Sequence, residues 1–266
     1  MTAIALTIAG SDSGGGAGIQ ADIKTFSALG TYAASVLTAV TAQNTRGVTA
    51  VEDISPSIIA AQLDAVLGDL AVDAVKIGMV SRAETIGVIA GRLAPFAGPI
   101  VVDPVMVATS GDRLLREDAM AALVGELLPL AHVVTPNLAE AALLTGRPMA
   151  ATPEEMIGQA RIILGFGAKA VLMKGGHGTG ETSTDLLVTD TDVSEFAAPR
   201  IDTRNDHGTG CTLAAAVTAH LARGLTLTEA CRGAKIYLHA ALEAGRALRV
   251  GQGRGPVHHF HAWWTA

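Results

Sequence analysis

The stretch that decides the fold stands at the start of the chain: Ile4-Ala5-Leu6-Thr7-Ile8-Ala9, then Gly10-Ser11-Asp12-Ser13-Gly14-Gly15-Gly16, then AGIQADIKTFSAL over 17–29. The first part is a near-continuous apolar run, the pattern of a strand covered on both faces. A polar, glycine-rich turn follows, and then a helical pattern over Ala17–Leu29. The same unit recurs along the chain. Further strands are expected at Val36–Ala42, Ala74–Met79, Ile100–Val102, His132–Thr135 and Ala170–Met173. Helical patterns lie between them at Pro56–Leu70, Arg82–Phe96, Glu117–Leu127, Leu138–Leu144 and Pro153–Leu164. Ser55-Pro56 and Thr152-Pro153 read as helix starts, and Gly146, Gly165 and Gly224 as helix stops. After Met173 the pattern changes. Ser183–Thr189 and Asp192–Ile201 read as a hairpin, followed by helices Thr209–Ala222 and Leu227–Leu248. The expected class is α/β: a three-layer α/β/α sandwich, its central sheet mostly parallel, with an antiparallel portion late in the chain.

Composition bounds what such a sheet is for. Of 266 residues, 49% are hydrophobic and 17% charged, enough for a large core in one domain spanning 1–266. The formal charge is −6 and there is no long basic run, which disfavours nucleic acid and anionic membranes as partners. The N-terminal apolar run lacks a preceding basic segment and reads as a strand, and no stretch approaches the ~20 apolar residues of a membrane span. Two cysteines, Cys211 and Cys231, make a poor disulfide framework, so reduced thiols and a cytoplasmic setting are expected.

In open α/β sheets, ligands gather beyond the carboxyl ends of the strands. Here those ends collect Gly10–Gly16, Gln43-Asn44, Gly78-Met79, Asp103-Pro104, Pro136-Asn137 and Lys174-Gly175-Gly176. Turns alone do not require so many amides, carboxylates and glycines at one edge. The chain has no P-loop, no H-E-x-x-H or paired C-x-x-C, no G-x-S-x-G and no G-x-G-x-x-G.

One cluster stands out: His207-Gly208-Thr209-Gly210-Cys211-Thr212. Leu213, Val217 and Leu221 are spaced four apart, so one helix face is buried. The entrance at Gly208, Thr209 and Gly210 lets backbone N–H groups converge on an outside atom, with the helix dipole behind them. That suits an anion that develops in a reaction, such as a transferring phosphoryl group. The same field is expected to lower the thiol pKa of Cys211 and let it take a proton from an attacking hydroxyl. The plain alternative is a small packing residue, which fits Cys231 better.

Other candidates carry their own plain alternatives. Lys174 is either a phosphate-neutralising ammonium or a solvated strand-end lysine. Asn137 and Glu140 are either a capping pair or, for Glu140, a group near Mg²⁺. Asp103 is a candidate for metal or phosphate organisation, or a turn residue before Pro104. Gln43 offers a donor and an acceptor to an amino-substituted heterocycle, or satisfies a loop. Met79, Val105 and Val107 are ring walls or core. Asp22 favours the dipole of the first helix or faces the acceptor. His258, His259 and His261 invite a metal reading, but with no acidic or cysteine partner nearby in sequence they read as a packed or solvated tail or a subunit contact; Trp263 and Trp264 are expected to pack against the body or a partner subunit.

Taken together, AGSDSGGGAGIQADIKTFSALG, TAVTAQNTRGV, KIGM, VVDPVM, TPNLAEAALL, VLMKGGH, DTRNDHGTGCTLAAA and GPVHHFHAWW resemble the hydroxymethylpyrimidine/phosphomethylpyrimidine kinases of thiamine biosynthesis, a ribokinase-like family. The resemblance runs nearly end to end, with the motifs in order. It implies ATP- and Mg²⁺-dependent phosphorylation of 4-amino-5-hydroxymethyl-2-methylpyrimidine, then of its monophosphate to the pyrophosphate. It implies that Gln43 holds the pyrimidine, with Gly10, Asp22, Met79 and Val105 lining its pocket. It implies Cys211 as base, Gly208 and Gly210 as anion hole, and Lys174, Asn137, Glu140 and Asn205 on the ATP–Mg²⁺ side. A homodimer is implied as well. Asp206 departs from the pattern, standing where threonine or serine is more usual. A carboxylate there weakens nucleotide binding unless it points away or assists a cation.

Overall fold

The computed structural model describes residues 2–106, 117–176 and 180–264. One nine-stranded sheet runs through them, in the order β3-β2-β1-β4-β5-β6-β7-β8-β9. Its strands are β1 (Ile4–Asp12), β2 (Tyr32–Asn44), β3 (Gly47–Asp53), β4 (Ala74–Ile77), β5 (Ile100–Val102), β6 (Val133–Val134), β7 (Val171–Met173), β8 (Thr182–Val188) and β9 (Val193–Pro199). The helices are α1 (Gly18–Ala28), α2 (Pro56–Asp69), α3 (Ala83–Leu93), α4 (Glu117–Ala122), α5 (Leu138–Thr145), α6 (Pro153–Leu164), α7 (Thr209–Ala222) and α8 (Leu227–Gly245).

β1, β2, β4, β5, β6 and β7 pair in parallel, and β8 and β9 add an antiparallel hairpin as expected. A second antiparallel element appears at the opposite edge, where β3 pairs with β2. The expected helix over 117–127 widens into a π-helical turn at Leu123–Leu127, followed by a 3₁₀ turn at Leu128–Leu130. Gly146 and Gly224 take positive φ, as stops do, but Gly165 is helical and Gly167 carries the positive φ instead. Thr152 caps α6 through a reciprocal bond with Glu155, whereas Ser55 makes no side-chain cap and only Pro56 sets the start of α2.

Two cores sandwich the sheet. Leu6, Ile8, Ile77, Val102, Val134 and Val171 pack with α2–α6 on one face. Ala5, Val101, Val133 and Leu172 pack with α1, α7 and α8 on the other. Apolar residues on both faces of each central strand explain why these runs do not alternate with polar residues. α7 reads Leu213-Ala-Ala-Ala-Val217, and those small side chains let it settle close to the sheet and α8.

The parallel strands all end at the same edge. The chain leaves β1 toward β2 on one side and reaches β4 on the other, so the topological switch falls between β1 and β4, where such sheets hold ligands. Among the described residues, no helix is long and apolar enough to cross a membrane.

Candidate active site

A cleft of about 600 Å³ opens along that edge. Gly10, Gln43, Met79 and Val105 line one part, Asp103, Asn137, Glu140 and Lys174 another, and Gly208, Thr209, Gly210 and Cys211 lie on its wall. These residues come from seven separate stretches of chain, each the exit of a strand or the entrance of a helix. Val107 lies outside the described residues.

The Gly-Thr-Gly turn is shaped by contacts only glycine allows. Gly208 has φ +81°, and a Cβ there would sit 1.9 Å from the Gly16 carbonyl oxygen. The glycine-rich loop after β1 and the entrance of α7 are therefore in direct backbone contact. No side chain caps α7. The first-turn N–H groups of a helix have no intrahelical partner, so they can serve an anion in the cleft. A Cβ on Gly210 would lie 3.4 Å from Lys174 Nζ and 3.7 Å from Asp103 Oδ2, which puts the lysine beside this turn.

Cys211 is half-buried. α1 also begins here, and the Gly18 N–H is aimed at the sulfur. The expected lowering of the thiol pKa does not follow. Burial pushes it up to about 11, Asp22 and Asp103 add to the rise, and Lys76 and the Gly18 N–H oppose it. The helix-end field does not outweigh enclosure among carboxylates.

Lys174, at the exit of β7, donates to Asp103 Oδ1 at 2.7 Å and stands 3.7 Å from Glu140 Oε2. Thr135 donates to the same Asp103 oxygen at 3.0 Å. Asp103 is held below the usual carboxylate range: burial works against its charge, and Lys174 and Lys76 more than offset it. Glu140 goes the other way, raised to about 7 by burial, with Asp103 adding and Lys174 opposing. Asn137 and Glu140 do form the capping box: Asn137 N–H donates to Glu140 at 2.7 Å and Glu140 N–H donates to Asn137 at 2.9 Å. The cap and the cleft are the same place, so the two readings of this pair coexist.

Two expected residues are placed elsewhere. Asp22 does not line the cleft. Thr7 and Lys76 are register partners on the sheet face that α1 covers, and Asp22 comes down on both. It accepts from Thr7 Oγ1 at 2.6 Å and from Lys76 Nζ at 2.9 and 3.0 Å, with no exposure. Lys76, not Asp22, reaches the cleft wall. Burial works against the Lys76 ammonium, and Asp22 foremost, with Asp103, holds it charged. Asn205 is also displaced from its expected role. Its amide donates to the Gly245 and Leu248 carbonyls at 2.7 and 2.9 Å, closing the end of α8. Those two bonds use both amide hydrogens.

Sequence reasoning missed Asp12, Thr41, Lys76 and His207. Asp12 organises the glycine-rich loop: it accepts from the N–H groups of Gly14, Gly16 and Ala17 at 2.8, 3.1 and 2.8 Å. It also meets His207 Nε2 at 2.9 Å. The Gln43 amide lies 3.4 Å from the same histidine nitrogen and 3.2 Å from Thr41 Oγ1. The signal available for Asp12 was an Asp two residues before glycine in a turn, an Asx-turn pattern. Asp206 points to Arg254, donor of a two-pronged ion pair at the cleft mouth. Its charge is thus directed to a cation.

The family described as phosphomethylpyrimidine kinase matches residues 12–258. The chain is 67% identical over 264 residues to the hydroxymethylpyrimidine/phosphomethylpyrimidine kinase of Rhizobium meliloti, covering 99% of each. It is 52% identical to the enzyme of the same name from Escherichia coli, covering 98% of each. Among solved structures, phosphomethylpyrimidine kinase from Clostridium difficile matches with a TM-score of 0.80 and 47% identity, over 90% of this chain and 99% of that one. Bacillus subtilis pyridoxal kinase, in an ADP complex, matches with a TM-score of 0.90 and 37% identity, over 98% and 99%. A nine-stranded, mostly parallel sheet, one cleft at its carboxyl edge and matches along nearly the whole chain lead to one conclusion: this chain belongs to the ribokinase-like phosphomethylpyrimidine kinase family.

Proposed function

We propose that the cleft transfers the terminal phosphoryl group of ATP to the hydroxymethyl group of 4-amino-5-hydroxymethyl-2-methylpyrimidine, and then to the monophosphate so formed, giving the pyrophosphate used in thiamine biosynthesis. One observation carries this reading: Gln43 and Cys211 lie on the walls of a single cleft that also holds Lys174, Asp103 and Glu140. A ring held at Gln43 presents its alcohol toward the α7 entrance, where the backbone N–H groups face the transferring group. Catalysis of this kind is mostly positioning and electrostatics.

Cys211 handles the proton. Its sulfur rests as a thiol, since burial holds its pKa at about 11. In a loose phosphoryl-transfer transition state, the attacking oxygen sheds its proton late, and a strong standing base is not needed. Cys211 takes the hydroxyl proton and returns its own to a phosphoryl oxygen, so the thiol is restored and no charge is left on sulfur. Lys174 neutralises phosphate charge beside Gly210.

Mg²⁺ fits the donor set. Two carboxylates, Asp103 and Glu140, share the one Lys174 ammonium, and Glu140 is raised by burial first with Asp103 adding to it, so one more cation relieves it. No three His, Cys, Asp or Glu gather to form a complete protein cage among the described residues, which suits an ion that keeps its waters and phosphate ligands. Glu140 and Asp103 would hold it, directly or through water. When bound it supplies neutralisation of the phosphate oxygens. The implied homodimer belongs to the same reading, and sedimentation of the full chain tests it.

Incubation with ATP, Mg²⁺ and the pyrimidine alcohol, followed by mass spectrometry, tests the reading. Mono- and diphosphate products are expected; no substrate-dependent ADP release would reject it. The likeness to pyridoxal kinases makes pyridoxal the second acceptor to compete in that assay.

A further inference from the structure

We infer that Arg254 is a specificity-determining residue: its guanidinium takes the phosphate that the acceptor carries into the second transfer, and so favours the monophosphate over the alcohol. The inference rests on the proposed two-step reaction and on Gln43 marking the end of the cleft that holds the ring.

Arg254 is rooted where two walls of the cleft meet. Its N–H donates at 2.8 Å to the carbonyl of Thr45, two residues beyond Gln43. The glycines on either side let the chain lie close against its neighbours. A Cβ on Gly253 would sit 2.0 Å from the Thr45 carbonyl oxygen, and one on Gly255 would sit 2.1 Å from Asn205 Oδ1. The backbone is thus clamped between the Gln43 side and the segment that leads into α7. The side chain reaches Asp206, two residues before Gly208. Nε–H donates to Asp206 Oδ1 at 2.8 Å, and an Nη2 hydrogen goes to Oδ2. Arg254 and Asp206 both line the cleft.

That ion pair leaves a donor edge open. A guanidinium carries five N–H groups, and Asp206 takes two. The remaining hydrogens on Nη1 and Nη2 form a second fork, which fits two oxygens of one phosphate. The pair is also open to water, with the Arg254 side chain 56% exposed and that of Asp206 27%. Such pairs are held weakly, so an arriving phosphate can share the guanidinium or displace the carboxylate.

Among the described residues, the other lysines and arginines on the cleft wall are enclosed or face other tasks. Lys76 and Lys235 are buried against Asp22 and Asp185. Lys174 stands with Asp103 and Glu140, on the side assigned to the nucleotide. Arg200 donates to the carbonyls of Gly176, Gly180 and Thr182. Arg254 is the one rooted beside the Gln43 hairpin.

The acceptor's charge changes between the two transfers. The alcohol brings none to the space between Gln43 and the α7 entrance. The monophosphate brings an ionised phosphate there, and one of its oxygens must approach the terminal phosphorus of ATP. Like charges then converge, and a cation fixed between Thr45 and Asp206 offsets the repulsion. An arginine that served ATP would matter equally for both acceptors.

The test measures kcat/KM for the monophosphate and for the alcohol with the full chain, ATP and Mg²⁺, and takes their ratio. Arg254→Leu is expected to lower the ratio by about 10- to 100-fold, chiefly through a higher KM for the monophosphate. Arg254→Lys keeps the charge without the fork and should lower it less. Equal losses with both acceptors, as from a slackened tail or a lost ATP contact, overturn the inference. The wild-type protein supplies a check that needs no variant to fold. Added salt should raise KM for the monophosphate several-fold more than KM for the alcohol; parallel changes overturn the inference. If the wild type forms monophosphate but no diphosphate, the two-step reading falls too. If diphosphate forms and Arg254→Leu leaves the ratio unchanged, this inference alone falls.

Discussion

Lys76 and Asp22 form a two-pronged ion pair, at 2.9 and 3.0 Å, in which neither side chain meets solvent. Removing one partner leaves the other charged and enclosed, which costs ~3–5 kcal/mol, whereas replacing both with apolar groups recovers much of it. Lys76→Met is therefore expected to lower the denaturant midpoint sharply, and Asp22→Leu with Lys76→Met to lower it less than Lys76→Met alone. A double variant as unstable as the two losses added together would mean the pair is not coupled.

Cys211→Ser should leave pyrimidine KM within a few-fold and reduce kcat by about 10²–10⁴-fold, the range for a positioned proton-transfer group. The pH profile distinguishes how the sulfur works. A thiol near 11 that relays protons gives a kcat flat between about pH 7 and 9.5. A standing thiolate base would instead make kcat rise about tenfold per pH unit over that window. Near-normal turnover in Cys211→Ser rejects both roles.

Glu140 makes stability depend on pH in an unusual direction for a carboxylate. Its pKa is raised from 4.5 to about 7 in the fold, by burial first. The protonated form is favoured in the folded state, so its contribution is present below 4.5 and lost as pH rises through 7. A shift of this size corresponds to about 3 kcal/mol. Glu140→Gln keeps an acceptor for the Asn137 N–H and cannot ionise. Without nucleotide or Mg²⁺, its Tm should match wild type at pH 5 and exceed it by about 3–8 °C at pH 8. An equal difference at both pH values would place the Glu140 titration in the ordinary range.

Two glycines should respond differently to alanine. Gly208→Ala meets the Gly16 carbonyl at 1.9 Å in a backbone conformation hostile to side chains, so Tm and kcat should both fall. Gly10→Ala meets only the tip of Met79, at 2.4 Å. Methionine is adaptable, so Tm should hold while ring KM rises as Met79 is displaced into the cleft. Thermal melts and steady-state kinetics on the two variants check this; equal loss of Tm in both would reject it.

The central strands were legible because Leu6, Ile8, Val101 and Val102 are apolar whichever face they meet. β3 was not, because much of Gly47–Asp53 is exposed and the segment lacks such a run. Lys76 was hidden by the opposite logic. A lysine inside Ala-Val-Lys-Ile reads as solvent-facing, and only the arrival of Asp22 from α1 shows why it is enclosed. Asp22 and Asn205 were drawn toward the site by likeness of motif, while their partners lie far away in sequence: Lys76 for one, the carbonyls of Gly245 and Leu248 for the other. The Asp12–His207 contact joins residues 195 apart, and no local pattern announces it.

Apart from Arg254 on the cleft lining, the segment after α8 holds no residue assigned to the chemistry, yet it buttresses the cleft. The Thr45 carbonyl receives the Arg254 N–H at 2.8 Å, the Gly255 carbonyl receives the His207 N–H, and Pro256 bridges to His207. A cut after Leu248 would spare every side chain from Gln43 to Cys211, remove Val257 from the second core, and let the Gln43 end of the cleft go slack. Chain length beyond the last long helix is thus part of the enzyme's working parts, and trimming it amounts to loosening the site while leaving Cys211 in place.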